Sequence, residues 1–510
     1  MATASRSKNA TRNIAFAFLK GILNTVLPFI TRTIILYLIG TEYLGVGTLF
    51  TSILSVLNLS ELGLSAAINY SMYKPIVEDD TATINALLRY YRRLYRIIGI
   101  VMLGVGSAIV PLLPVLIKGE PPADLNIVIL YFLYLINLVT SYFFAGYRQC
   151  LLTSHQRSDI VSKITLTAYV INNVLQIIVL VATRNYYVYA AAPIVGTIFT
   201  NVCDLLVTKR MYPEISCRGE LDPEIRKGIR KRISGLFGTK LNSIVVHQAD
   251  ILVISAFLGL ELVTIYGNYY YLFNSVCAFT LIFFSSLTAG VGNKLVLDSI
   301  EENVKLFKNI RFLNVWLVGF CGACFMGLYQ PFMRLWVGSD LMLPLPFVIL
   351  LVVYFYIYEV QRTVLTFKDA AGLWYEDRFR PYVTMAFNIV SNLIMVQFIG
   401  IYGIVLSSIL AFAISLPWAN RVLYVHLFKK KPSENLIALG KYTLVVAAII
   451  AACYGICMLL PEGIIGLILR FIVILVFFNG AFFLIYRNKP EFAFVKRYFG
   501  KMMKKLRGKK

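Results

Sequence analysis

Two basic residues, Lys20 and Arg32, stand inside one long apolar run, residues 18–47. A second run, residues 237–267, carries Lys240, Asn242, His247 and Asp250. A charge at mid-bilayer costs roughly 2.5–3.5 kcal/mol on insertion scales unless it faces water or a partner. Each of these residues therefore needs an anion, a counter-ion or a route to the surface. Cations in a water-filled cavity do not make or break bonds. They replace part of the hydration of a phosphate or carboxylate through charge-assisted hydrogen bonds. A carboxylate or histidine beside them adds a group whose protonation can be coupled to movement. This is the chemistry of a binding and transport site.

The spacing gives the residues faces. At about 100° per residue, Lys20, Asn24 and Thr31 fall within about 40° of one another, and Arg32 lies about 120° from Lys20. Pro28 between them allows a bend. Lys240, Ser243, His247 and Asp250 run i, i+3, i+7, i+10 and form one polar stripe. Asn58, Glu61, Ser65 and Asn69 share a face of the next span, and Glu359 and Arg362 are one turn apart. The last pair reads as an internal salt bridge, and Arg470 as a lipid-headgroup or packing residue. His247 reads first as a hydrogen-bonded core residue. Lys20 is close enough to the inner end to snorkel. The expected cavity cations are Arg32, Lys240 and Lys20, with Asp250, His247, Glu61, Asn24 and Asn242 as polar or coupling groups. Arg32 and Lys240 are expected to face one another.

The elements that must hold these residues are membrane helices. The chain has 510 residues, of which 58% are hydrophobic, and its mean hydropathy is +0.73. Apolar stretches of about 20 residues recur along it. Placing Gly40 on Gly259 also places Glu42 on Glu261, so the two charged runs are copies of one opening element. Internal repeats with a substrate site between them are a feature of transporters. Fourteen spans are predicted, at 12–38, 44–72, 90–117, 125–150, 160–182, 188–208, 233–258, 262–292, 308–332, 342–368, 379–400, 401–426, 439–460 and 464–487. The fold class is an all-α polytopic membrane protein of about 14 transmembrane helices, in two pseudo-repeated six-helix lobes plus two C-terminal helices. The divisions are an N-lobe at 1–208, a basic cytoplasmic linker at 209–232, a C-lobe at 233–428, the last two helices at 429–487 and a basic tail at 488–510.

Net charge is +23 although only 15% of residues are charged. With the N-terminus inside, the outer loops hold Lys118, Arg184 and Arg334. The spans hold Lys20, Arg32, Lys240 and Arg470, and the rest of the 49 Lys and Arg lie at inner loops and tails. That bias places both termini in the cytoplasm. Lys118, in an outer loop, is expected to tolerate substitution. The basic residues are scattered over short loops, which argues against nucleic-acid binding. The basic N-terminus runs into an apolar segment too long for a signal-peptide core and reads as a retained first helix.

Other motifs carry less. Cys321 and Cys324 have C-x-x-C spacing without the second pair that a zinc site needs, so no metal is expected. The string Gly290-Val-Gly-Asn-Lys294 lacks P-loop spacing and follows no strand. No cofactor or ATP-binding module is indicated. The tyrosine runs at 269–271 and 354–358 suit either membrane interfaces or stacking on sugar rings.

Three strings carry a family resemblance: IGTEYLGVGTL after the first helix, SELGLSAAINYSMY in the second, and QADILVISAFLGLELVTIYGNYY from the seventh into the eighth. With the repeat, they make the chain resemble the Wzx-type polysaccharide flippases of the multidrug/oligosaccharidyl-lipid/polysaccharide exporter superfamily. The resemblance implies a V-shaped pair of six-helix lobes around a cationic cavity, working by alternating access. It implies no enzyme, and a substrate of oligosaccharide units on undecaprenyl pyrophosphate, moved from inner to outer leaflet for capsule or exopolysaccharide synthesis. It also implies a bacterial plasma membrane, contact with membrane lipids, and a polysaccharide polymerase and chain-length regulator as partners. A lipid II flippase is the nearest alternative. A multidrug exporter of the same superfamily should prefer acidic or aromatic cavity residues. A membrane polymerase or glycosyltransferase needs larger outer loops than these. Proton or sodium coupling would run through Asp250, Glu61 or His247.

Overall fold

The computed structural model describes residues 21–58, 64–494 and 496. Every regular element among the described residues is helical. In hydrocarbon each backbone N–H and C=O must be satisfied within its own segment, and a helix does this. The helices are α1 (Gly21–Leu38), α2 (Thr41–Leu57), α3 (Leu64–Val77), α4 (Thr81–Ile109), α5 (Ile127–Phe143), α6 (Gln149–Ser154), α7 (Ser158–Thr183), α8 (Tyr186–Met211) and α9 (Pro223–Leu258). They continue with α10 (Leu260–Leu297), α11 (Ile300–Val337), α12 (Leu345–Val360), α13 (Arg362–Ala370), α14 (Arg380–Ile399), α15 (Ile401–Leu423), α16 (Ser433–Cys457) and α17 (Gly463–Tyr486).

Among the described residues, eleven helices are long and apolar enough to cross a membrane, and a bent pair makes twelve. The chain is a multi-pass membrane protein. The other two of the fourteen expected spans fall partly on residues outside the described ones: one covers α2, α3 and residues 59–63 between them, and the other lies in α9.

Short polar caps start the helices where the chain re-enters. The side chains of Asp80, Asn126, Asn185, Asp222 and Ser299 accept from the first free N–H groups of α4, α5, α8, α9 and α11. Proline acts as expected at Pro111 and Pro114, where α4 passes into a 3-10 turn and then Leu113–Leu116. The bend of 49° between α5 and Gly146–Ser154 has no proline. It falls at Gly146, where a Cβ would lie 2.8 Å from the carbonyl oxygen of Ser141.

The chain divides into two compact units, Met1–Gly267 and Asn268–Lys510. Helix α9 and the first turns of α10 thus pack with the first unit. Gly40 and Gly259 form two matching turns, at φ 131°, ψ 168° and φ 99°, ψ 171°. That region is essentially open to glycine alone. The helices that follow them, α2 and α10, touch with exchanged roles. Thr264 Oγ1 donates to the Thr41 carbonyl at 2.6 Å, and a Cβ on Gly45 would overlap the carbonyl oxygen of Leu260. Under the repeat shift Thr41 corresponds to Leu260 and Gly45 to Thr264. The two contacts are therefore one contact seen twice, as about a local two-fold axis.

In the second unit α11 is the central post, with buried residues along its whole length from Asn303 to Val337. Trp316 stacks on Phe482 of α17 at 5.7 Å, and its Nε1 donates to Asn479. Arg470, buried on α17, donates to the carbonyls of Cys457 and Leu460 at 3.1 Å each. It caps the end of α16, where carbonyls lack helical partners. Packing is its role. Between α14 and α15, Asn388 Nδ2 donates to Ser408 at 3.1 Å, and Ser407 donates to Asn392. Small polar residues of this kind let helices approach closely.

Candidate functional site

Arg32 lies on α1 six residues before its end at Leu38, about 9 Å along the axis from the turn at Gly40. It is half-buried. A Cβ on Gly267, in α10, would sit 3.1 Å from its Nη2, so the missing side chain there makes room for the guanidinium. Its charge acts on the phenols of Tyr186 and Tyr189 at the start of α8. Those two rings stack at 5.3 Å. The Tyr186 hydroxyl lies 3.3 Å from that of Tyr134 on α5, and Tyr43 of α2 meets Tyr186 edge to face at 5.5 Å. A Cβ on Gly47 would lie 2.8 Å from the Tyr134 hydroxyl, so that glycine lets the phenols close in. The arrangement is a cation beside a group of tyrosines drawn from three helices. It brings a charge, phenol hydroxyls and aromatic rings together in one place, with Tyr186 itself buried in the core.

Asp250 is 1% exposed on α9. The hydroxyl of Tyr266, on the neighbouring α10, donates to its Oδ2 at 3.3 Å. Gly267, against Arg32, follows Tyr266 in the chain, so Arg32 and Asp250 both lie against the first turns of α10. Asn24 is exposed on α1, and its carbonyl accepts from Tyr169 at 3.5 Å. Lys20 and Glu61 lie outside the described residues. Lys240, Asn242 and His247 are helical residues of α9 whose side chains lie outside the described ones. Of the expected stripe in the second span, Asn58 accepts from Tyr142 at 2.6 Å and Asn69 from Ser154 at 3.3 Å. These are packing contacts within the first unit.

The second unit holds two closed charge networks. Arg362 Nη2 and Nε donate to Glu359 at 2.8 and 3.1 Å, and Thr280 donates to the same carboxylate. The pair lies at the break between α12 and α13, where Asn314 Nδ2 donates to the freed carbonyls of Glu359 and Val360. Just before α14, Asp377 is held by Lys368 at 2.6 Å and by Arg380 at 2.7 Å, all buried. Tyr269, Tyr270, Tyr354 and Tyr356 of the two aromatic runs are core residues: Tyr269 donates to Gln330, and Tyr354 stacks on Phe273 at 4.8 Å. Among the described residues no group of His, Cys, Asp and Glu is placed to hold a metal.

Sequence reasoning reached Arg32 and Asp250 but not Tyr134, Tyr186 and Tyr189. Their signal was faint: Tyr186, Tyr187 and Tyr189 open a span beside an outer loop, where tyrosine is common for interfacial reasons.

No family model matches the chain, and no curated protein does. Solved structures do. The lipid II flippase MurJ, in an inward closed conformation, is 14% identical, covers 93% of this chain and 99% of its own, and has a TM-score of 0.62. An inward-facing multidrug resistance MATE family transporter of the MOP superfamily is 15% identical over 80% of this chain and 98% of its own, with a TM-score of 0.58. A variant of the Vibrio cholerae MATE transporter VcmN is 14% identical over 84% of this chain and 99% of its own, with a TM-score of 0.57. The chain has the transporter fold that these proteins share.

Proposed function

We propose that the protein is a flippase of the bacterial plasma membrane and not an enzyme. It moves oligosaccharide units linked to undecaprenyl pyrophosphate from the inner to the outer leaflet by alternating access, for surface polysaccharide synthesis. The observation that carries this reading is the setting of Arg32: a cation kept in an apolar opening helix, between tyrosines and a glycine that leaves it space. A sugar pyrophosphate cannot cross about 30 Å of hydrocarbon unaided. Arg32 would donate to pyrophosphate oxygens, each charge-assisted bond worth roughly 1.5–3 kcal/mol net. Tyr189, only partly buried, is the ring that would meet a sugar while the polyprenyl tail stays in the lipid. Lys240 supplies a second cation from the equivalent helix. Asp250, buried and bonded to Tyr266, is the group through which the cycle couples to protons or sodium. The Wzx-type resemblance and the fold shared with a lipid II flippase support the same substrate class. Polymerase and chain-length regulator are then the partners on either side of the step.

The test is surface polysaccharide in a strain lacking the native gene, with membrane abundance measured in parallel. Arg32→Ala should abolish or sharply reduce export at normal abundance. Arg32→Lys should keep more, since charge survives although the planar fork is lost. Normal export by a stable Arg32→Ala, Lys240→Ala double variant would refute the cationic mechanism. Rescue of a lipid II flippase-depleted strain instead would move the substrate to lipid II.

A further inference from the structure

A second cationic feature lies in the first unit, away from Arg32 and on the side where the basic residues collect. A cavity of about 460 Å³ is lined by Arg92, Arg148, Lys209 and Arg218, together with residues of the 213–217 loop. No carboxylate lines it, and none of the four cations forms an ion pair among the described residues. Four positive charges around one hollow repel each other. The nearest buried carboxylate on α8, that of Asp204, pairs with none of them.

The walls are fixed before any ligand arrives. Arg148 sits in the 3-10 turn Gly146–Arg148, at the bend after α5, and is 8% exposed. Its Nη1 donates to Thr208 at 3.4 Å, while its Nε is buried with no hydrogen-bond partner among the described residues. The loop opposite is tied to α4 twice. Arg89 donates to the Gly219 carbonyl at 2.9 Å, and the N–H of Ser216 donates to Asn85. Arginine is the residue that reads phosphate by paired hydrogen bonds, and lysine adds a point charge. Burial of one arginine without a counter-ion, within a preformed cationic hollow, is costly unless an anion completes it.

We propose that this cavity binds a phosphoryl group, carried either by the head group of an anionic membrane lipid or by a soluble phosphate compound. The site is separate from the transport site, and its test does not depend on the transported substrate. Arg148 is its anchor, with Arg92, Lys209 and Arg218 closing round the phosphate.

The experiment uses the full-length protein in nanodiscs, in two arms. In phosphatidylcholine discs, inorganic pyrophosphate is titrated calorimetrically. In mixed discs, native mass spectrometry counts retained phosphatidylglycerol against phosphatidylcholine. The variants are Arg148→Gln and, because a buried substitution can unfold the unit, the more accessible pair Arg92→Gln, Arg218→Gln. Lys429→Gln, Lys430→Gln removes equal charge from another loop as the control. Melting curves confirm folding. In one arm, affinity or preference should fall about tenfold or more in the cavity variants, the size of losing one charge-assisted contact, and hold in the control. A fall in the lipid arm assigns the head group, and a fall in the pyrophosphate arm assigns a soluble ligand. No change in either arm, or an equal fall in the control, overturns the proposal in favour of unspecific surface charge.

Discussion

A side chain on Gly45 would run into the carbonyl oxygen of Leu260, and its Cβ would also come within 3.1 Å of Thr264 Oγ1. The two helices that follow the charged opening elements are thus in backbone contact. Arg32 and Asp250 sit on the helices just before them, so this contact sets how the two charged elements are held.

Gly45→Ala should therefore destabilise the protein by about 1–3 kcal/mol, the usual cost of overpacking. Gly45→Leu should prevent accumulation. Gly104→Ala is the matched control: nothing lies within 4 Å of that position. It should be neutral or slightly stabilising in a helix interior. Thermal melting of the detergent-solubilised protein reads both.

Lys118 does not behave as a spectator of the outer loop. Its Nζ donates to the Phe257 carbonyl at 2.6 Å, and its N–H to Ser255 at 3.1 Å. It thereby caps the end of α9, where carbonyls are free and cations are favoured. Lys118→Ala should lower stability by about 0.5–1 kcal/mol, an exposed hydrogen bond's worth. Lys118→Arg should restore most of it. Melting temperatures unchanged by Lys118→Ala would remove that capping role.

Asp377 balances two buried cations, Lys368 and Arg380. Removing it strands both, and breaking such a group costs about 3–5 kcal/mol. Asp377→Ala should be poorly expressed. Adding Lys368→Met and Arg380→Leu to it should recover part of the abundance, because apolar replacements of a whole buried cluster are tolerated better than half of one.

Orientation is open to a direct measurement. Glu220 is exposed in the loop before α9. In a background without native cysteines, Glu220→Cys should react with an impermeant thiol reagent only after the cells are opened. Labelling of intact cells would place this loop outside and reverse the assigned topology.

Much of this architecture was readable beforehand, for physical reasons. Apolar length fixes spans, since hydrocarbon admits little else. The match of Gly40 with Gly259 was visible because one backbone conformation at both turns admits only glycine. Glu359 and Arg362 were legible because i, i+3 pairs on a helix must meet. What stayed hidden was assembled from distant segments. Tyr186 and Tyr189 stand beside Arg32 from a helix about 150 residues further along, and Tyr134 joins them through Tyr186. Lys118 binds a carbonyl, and every residue carries one, so no side-chain type marked its partner. The cavity at Arg148 draws on α4, the bend after α5, the end of α8 and the following loop. The bend itself has no proline to announce it.

The exchanged contacts of Thr41 with Thr264 and of Gly45 with Leu260 have a consequence for how this region answers to change. When two identical subunits meet about a two-fold axis, one substitution alters every symmetric copy of a contact at once. Here the two copies lie in one chain and carry different residues, so each can be altered alone: Gly45 bears the steric half and Thr264 the hydrogen-bonded half.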